Sequence, residues 1–231
     1  MEFHLAKCQT LSITRSRKPL QRSYVLHGHT LENVSSAKYL VVTINNTVSW
    51  DDHISNTCSK ANRAQGFLRR NLKISASNIK EKAYKVFVHP LLEYAASVWD
   101  PYSQKNIAKI EAVHRRAARF VLNRYRNTLS VNNMLEVLGW PTLEQRRQTC
   151  RLLMLYKIQS GLAHCPTLKA KLVPLPSCQR LAHDKQLTLL TTRTQYRGSS
   201  FLPKTIRDWN LSPMKVVEAP TRDTFESWVS N

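Results

Sequence analysis

Acidic residues are scarce in this chain. Fifteen Asp and Glu stand against 35 Lys and Arg, a formal charge of +20 with a pI near 10.2. Glycine is scarce too, only five in 231 residues, which argues against a glycine-rich nucleotide fold and for helices. No apolar run approaches the length needed to span a bilayer. The first residues, MEFHLAKCQTLSITRSRKP, lack the apolar core and small-residue cleavage site of a secretion signal. Cys8, Cys58, Cys150, Cys165 and Cys178 are odd in number and scattered. They read as reduced, mostly structural thiols, so the expected location is intracellular, in nucleus or cytoplasm, and not secreted. There is no internal repeat and no low-complexity tract.

Recognisable catalytic constellations are missing as well. Metal-assisted phosphoryl chemistry needs converging carboxylates, yet the only adjacent acidic pair is Asp51-Asp52. That pair follows Trp50 at a helix start, where free amides and the helix dipole favour Asp, and it reads as capping. His164, Cys165, Cys178 and His183 are the only cluster of soft ligands, and they lack the close cysteine pair of a zinc finger. Nucleophile-elbow and Walker-type patterns are absent. No metal site and no self-contained active site is expected.

What remains is basic and helical. The excess charge runs through every helix, which points to an extended anionic partner, nucleic acid before a membrane surface. Asn78 to Arg126 reads as two helices joined by an Asp100-Pro101 turn, the first kinked or divided by Pro90. In the second, Ile107, Ile110, Val113, Ala117, Phe120 and Val121 recur at steps of three and four and share a face. Arg115, Arg116, Arg119 and Arg126 fall on the opposite side, a shape suited to a phosphate backbone or, alternatively, to a plain solvated surface.

Upstream, a helix from about Ser49, capped by Asp51 or Ser49, sets Ile54, Cys58, Ala61 and Leu68 on one face and Lys60, Arg63, Arg69 and Arg70 on a basic side. Phe67 and Phe120, interleaved with arginines, are assigned to the apolar faces. Residues 3 to 50 read as strands of a small antiparallel sheet: the stretch from Cys8, then Tyr24 to a Gly28 turn, then Lys38 to Ile44 ended by Asn45-Asn46. Ser77 is expected to cap the next helix. Ser130 to Leu138 forms a short helix stopped by Gly139, and Thr142-Leu-Glu-Gln opens another as a capping box. That helix should turn Leu143, Cys150, Leu153, Met154 and Ile158 inward and end at Gly161. Beyond it lies an irregular stretch with apolar patches near Phe201, Trp209, Val216 and Trp228. The expected class is α+β, mostly α: N-terminal antiparallel strands, a basic helical bundle, then an irregular C-terminal segment.

MEFHLAKC, AKYLVVTI, VSWDDHI, KANRAQGFLRRNL, LLEYAASVWDP, IEAVHRRAARFVLNRYR, LGWPTLEQRR, LLMLYKI and SFLPKTIRDWN occur in an order that resembles the C-terminal part of non-LTR (LINE-type, jockey- and CR1-like) retrotransposon reverse transcriptases. The resemblance implies that residues 1–48 are the end of a palm with primer-grip-like strands, 49–140 a thumb, and 141–231 a C-terminal region. Tyr39, Leu40, Val41 and Val42 match the primer-grip motif Tyr-Leu-Gly-Val, with Val41 in the glycine's place. If that glycine adopts positive φ, valine strains the turn. Leu211-Ser212-Pro213 likewise departs from the usual Ser-Leu-Pro order.

The family is an RNA-directed DNA polymerase, but its catalytic aspartates and their Mg2+ belong to palm motifs that this sequence lacks. The chain is therefore expected to be a truncated, catalytically inactive fragment that binds RNA or an RNA/DNA hybrid irrespective of sequence. Arg63, Arg69, Arg70, Arg115, Arg116 and Arg119 are the expected phosphate contacts. The alternative is a relic, or a scaffold that associates with other chains through exposed apolar surface.

Overall fold

The computed structural model describes residues 4–14, 16, 18, 20, 22–125, 130–176 and 183–230. Helix makes up 55% of it, with a few short strands, the mostly α, α+β class read from the sequence. The chain divides into two compact units, Met1–Lys60 and Ala61–Asn231.

The first unit opens with a 3-10 turn at Leu5–Lys7. Six strands follow: β1 (Gln9–Thr10), β2 (Val25–Leu26), β3 (His29–Thr30), β4 (Glu32–Asn33), β5 (Ser36–Tyr39) and β6 (Val42–Asn45). They do not form the single antiparallel sheet expected. Instead they make three two-stranded pairs, and the β1–β4 pair is parallel. Between β2 and β3 the reversal uses His27 (φ 48°) and Gly28 (φ 78°), the two left-handed residues that a tight hairpin turn needs.

Lys38 to Ile44 is not one strand either. The chain turns back at Leu40-Val41, so Lys38 pairs with Thr43 and Tyr39 with Val42. Burial explains the direction: Val42 and Thr43 are buried, whereas Tyr39, Leu40 and Val41 at the tip are exposed. Helix α1 (Asp51–Asn71) follows, its start held by the Asp51 amide donating to Ser49 Oγ at 3.2 Å. Ile54 and Cys58 are buried, and the Thr43 amide donates to His53 Nδ1 at 3.2 Å.

The second unit takes in the end of α1 and eleven further helices among the described residues: α2 (Ser77–Phe87), α3 (His89–Glu93), α4 (Ala96–Trp99), α5 (Gln104–Val121), α6 (Val131–Val137), α7 (Leu143–Gln159), α8 (Pro166–Lys169), α9 (Gln195–Gly198), α10 (Phe201–Asn210), α11 (Met214–Val217) and α12 (Arg222–Ser230). Pro90 does divide the helix that precedes Asp100, and Ala95 at φ 53° breaks it again. Ser77 is the first residue of α2 and gives it no side-chain cap. Ser103 caps α5 by accepting from the Asn106 amide at 3.4 Å.

The expected apolar stripe of α5, from Ile107 to Val121, is buried throughout, and the helix packs against α2, α6 and α7. Each such side chain contributes roughly 1.5–3 kcal/mol relative to exposure. Tyr84 of α2 stacks on Trp140 with centroids 4.8 Å apart, beside His114 of α5. The capping box at the start of α7 is complete, with the Gln145 amide donating to Thr142 Oγ1 at 3.1 Å.

Burial on α7 differs from the expectation. Cys150, Leu153 and Met154 are only half-buried, while Arg147 and Arg151 are buried with Leu143, Leu155 and Ile158. The cause is Asp100. Arg147 Nε donates to Asp100 Oδ1 at 2.8 Å, Arg151 pairs with Asp100 and with Asp208 (2.6 Å), and Lys204 reaches Asp100 at 2.6 Å. A second core joins Leu152 and Leu155 of α7 to Leu202, Ile206, Trp209, Val216, Val217 and Phe225. The apolar patches of the last forty residues therefore pack back onto α7.

Candidate nucleic-acid interface

The arginines expected to meet phosphate lie on the end of α1 and on α5, all within the second unit. Burying Ala61, Gln65 and Leu68 on α1 turns Arg63, Arg69 and Arg70 to solvent. Burying the apolar stripe of α5 leaves Arg116 exposed and Arg115 and Arg119 half-exposed. Arg126 lies outside the described residues.

Two contacts tie the basic segments together. Arg116 Nη2 donates to Asn62 Oδ1 at 3.0 Å, and the Arg69 guanidinium lies 5.2 Å from the ring centroid of Tyr125. Both contacts advance in the same direction along the two segments. Arg115, Arg116 and Arg119 also line an open groove of about 630 Å³ with Ala112, Ser130, Val131 and Asn132. Among the described residues three cations and two polar residues line that space, and no carboxylate does.

Among the described residues none of the six arginines is ion-paired with a carboxylate. The arginines of α7 behave in the opposite way: Arg146 pairs with Glu93, and Arg147 and Arg151 with Asp100. Glu111, one turn before Arg115, accepts from the Glu144 amide at 2.9 Å, and burial pushes its carboxyl up. The charges of Arg147 and Arg115 act in the opposite direction and pull it down. Arg115 and Arg119, one turn apart with like charge, repel each other, and an anion between them would relieve that repulsion.

No protein-family model, curated protein or solved structure matches this chain.

Tyr39, Leu40 and Val41 form an exposed hairpin tip in the first unit, with Val42 buried behind them. Leu40 and Val41 have φ of 45° and 70°, the left-handed backbone that glycine tolerates and a β-branched residue resists. Asp51 and Asp52 occupy the first turn of α1, and Asp52 Oδ2 accepts from Asn45 Nδ2 at 3.4 Å. His183 is buried against Trp209, with its Nε2 3.1 Å from the Trp209 carbonyl. His164 is exposed, and Cys178 lies outside the described residues. Among the described residues no three His, Cys, Asp or Glu converge as a metal site, and no helix is long and apolar enough to cross a membrane.

Phe120 is buried, as expected, beneath the Lys80 ammonium at 5.4 Å. Phe67 is not in the core: it is 59% exposed. At 100° per residue it sits about 140° away from Ile54, almost behind the buried face. The same arithmetic on the bare sequence would have placed it there.

Proposed function

We propose that this chain binds RNA or an RNA/DNA hybrid through backbone phosphates, irrespective of base sequence, as a thumb-like element of the non-LTR reverse-transcriptase kind. The reading is supported above all by six arginines on two segments in contact that make no ion pair with a carboxylate among the described residues. Three of them share one open groove. Planar guanidinium groups suit phosphate oxygens, and contacts to the backbone carry no sequence information. The polymerase chemistry of that family, with its Mg2+, belongs to aspartate motifs outside this sequence, so no nucleotide incorporation is assigned to these residues.

Fluorescence anisotropy on labelled RNA and RNA/DNA hybrid, titrated from 50 mM salt upward, tests the proposal. If about six phosphates are neutralised, log affinity falls against log salt with a slope of roughly −4 to −5. Replacing Arg115→Glu and Arg119→Glu together shrinks that slope by about 2. Salt-insensitive binding, or none at 50 mM salt, overturns it.

A second reading rests on the outer side of α2 to α4, where Val86, Phe87, Leu91, Tyr94 and Val98 are exposed. Apolar residues in such number favour association with other chains. Sedimentation velocity showing concentration-dependent oligomers, with no nucleic-acid affinity, selects this reading instead.

A further inference from the structure

We infer that Phe67 is a stacking platform for an unpaired base, so that the α1 face of the molecule makes a contact with single-stranded nucleic acid that a duplex cannot offer. The inference rests on the phosphate-binding reading above and adds the strand state of the partner.

Arg63 and Arg70 lie one helical turn before and after Phe67, within about 60° of it around α1. All three side chains are exposed. The guanidinium of Arg70 folds back along the helix, its Nη1 only 3.6 Å from where a Cβ on Gly66 would stand. Among the described residues no other ring or cation covers Phe67, whereas Phe120 is buried under Lys80 and Tyr125 carries Arg69. Phe67 is therefore the aromatic of the basic segments with its face open to a ligand.

A phenyl ring 59% exposed, with Arg63 and Arg70 one helical turn to either side, matches a base flanked by its phosphates. Every base has a π-face, so stacking tolerates any sequence. A duplex keeps its bases inside its own stack and presents only phosphates and groove edges, which the arginines alone can hold. An unpaired strand offers both contacts at once.

The test uses the full chain and two probes of equal length, a fluorescein-labelled oligouridine and an RNA/DNA hybrid duplex. Phe67→Ala is expected to weaken oligouridine binding about tenfold and to leave hybrid binding unchanged. Phe67→Trp should restore the single-strand affinity, and 2-aminopurine placed in the strand should be quenched by the native chain but not by the alanine variant. Unchanged oligouridine binding by Phe67→Ala, or an equal loss on both probes, overturns the stacking role while the salt-dependent phosphate reading stands. A change in oligomeric state with no change in strand affinity assigns the ring to a protein contact and likewise overturns it. Failure of the native chain to bind either probe removes both readings together.

Discussion

Arg147 Nε and Asp100 Oδ1 meet at 2.8 Å, with the arginine side chain 1% and the aspartate 5% exposed. The pair joins α7 to the end of α4 across a separation of 47 residues. Asp100 also receives Arg151 and Lys204, so one buried carboxylate offsets three cations, and Asp208 assists at Arg151. Removing one partner of a buried pair leaves the others uncompensated, which costs far more than the intact pair contributes.

Asp100→Asn keeps the shape and deletes the charge, leaving the buried Arg147 without a carboxylate and Arg151 with Asp208 alone. The expected loss is about 3–5 kcal/mol of folding stability, read from the midpoint and slope of urea unfolding. Lys204, 24% exposed, sits at the solvent end of the network, and Lys204→Met should cost no more than about 1 kcal/mol. Comparable losses in the two variants would mean that the network is not organised around Asp100.

This network also marks where sequence reading stopped. The α5 stripe was legible because its apolar residues and arginines separate cleanly at 3.6-residue spacing, a local property. On α7 the buried side mixes Leu143, Leu155 and Ile158 with Arg147 and Arg151, so a rule that sends charge outward rotates the helix wrongly. What turns it is an aspartate 47 residues away, and no local pattern reports that. The arginines of α1 and α5 were legible as basic faces. Their lack of carboxylate partners, the property that separates them from those of α7, depends on tertiary packing. Phe67 was misplaced for a simpler reason, its proximity in sequence to Leu68 rather than its angle around the helix.

Acidification should weaken the fold through His114. Tyr84 Oη lies 2.7 Å from His114 Nδ1, and His114 Nε2 lies 3.2 Å from the Pro141 carbonyl. The arrangement suits a neutral ring that accepts from the phenol and donates to the carbonyl. Burial, with the neighbouring His89 and Arg146 in the same direction, pushes the imidazole down to about 4 against the pull of Glu93 and the Pro141 carbonyl. Burial lowers His89 as well. A depressed histidine means that the unfolded chain takes up a proton the folded chain refuses. Stability is therefore full well above pH 6.5 and falls as pH drops towards 4, by about 1.5 kcal/mol between pH 6.5 and 5 for His114 alone. Urea unfolding across that window should show the decline, and His114→Gln should flatten it. Equal pH dependence in both proteins would exclude His114 as the source.

The hairpin between β5 and β6 stores strain that substitution can release. Leu40 (φ 45°) and Val41 (φ 70°) adopt the left-handed conformations of a two-residue turn, for which Asn-Gly is the favoured pair. Nothing in Leu-Val announces a turn, so the run reads as an uninterrupted strand until the pairing of Tyr39 with Val42 is seen. A non-glycine residue held left-handed costs roughly 1–2 kcal/mol, partly offset because glycine loses more entropy on folding, by roughly 0.5–1 kcal/mol. Both side chains are exposed, so replacing them removes little packing. Leu40→Asn with Val41→Gly is therefore expected to stabilise the hairpin by about 1 kcal/mol, seen as slower amide exchange across the β5–β6 ladder. Faster exchange would show that the apolar tip is held by contacts outweighing its backbone strain.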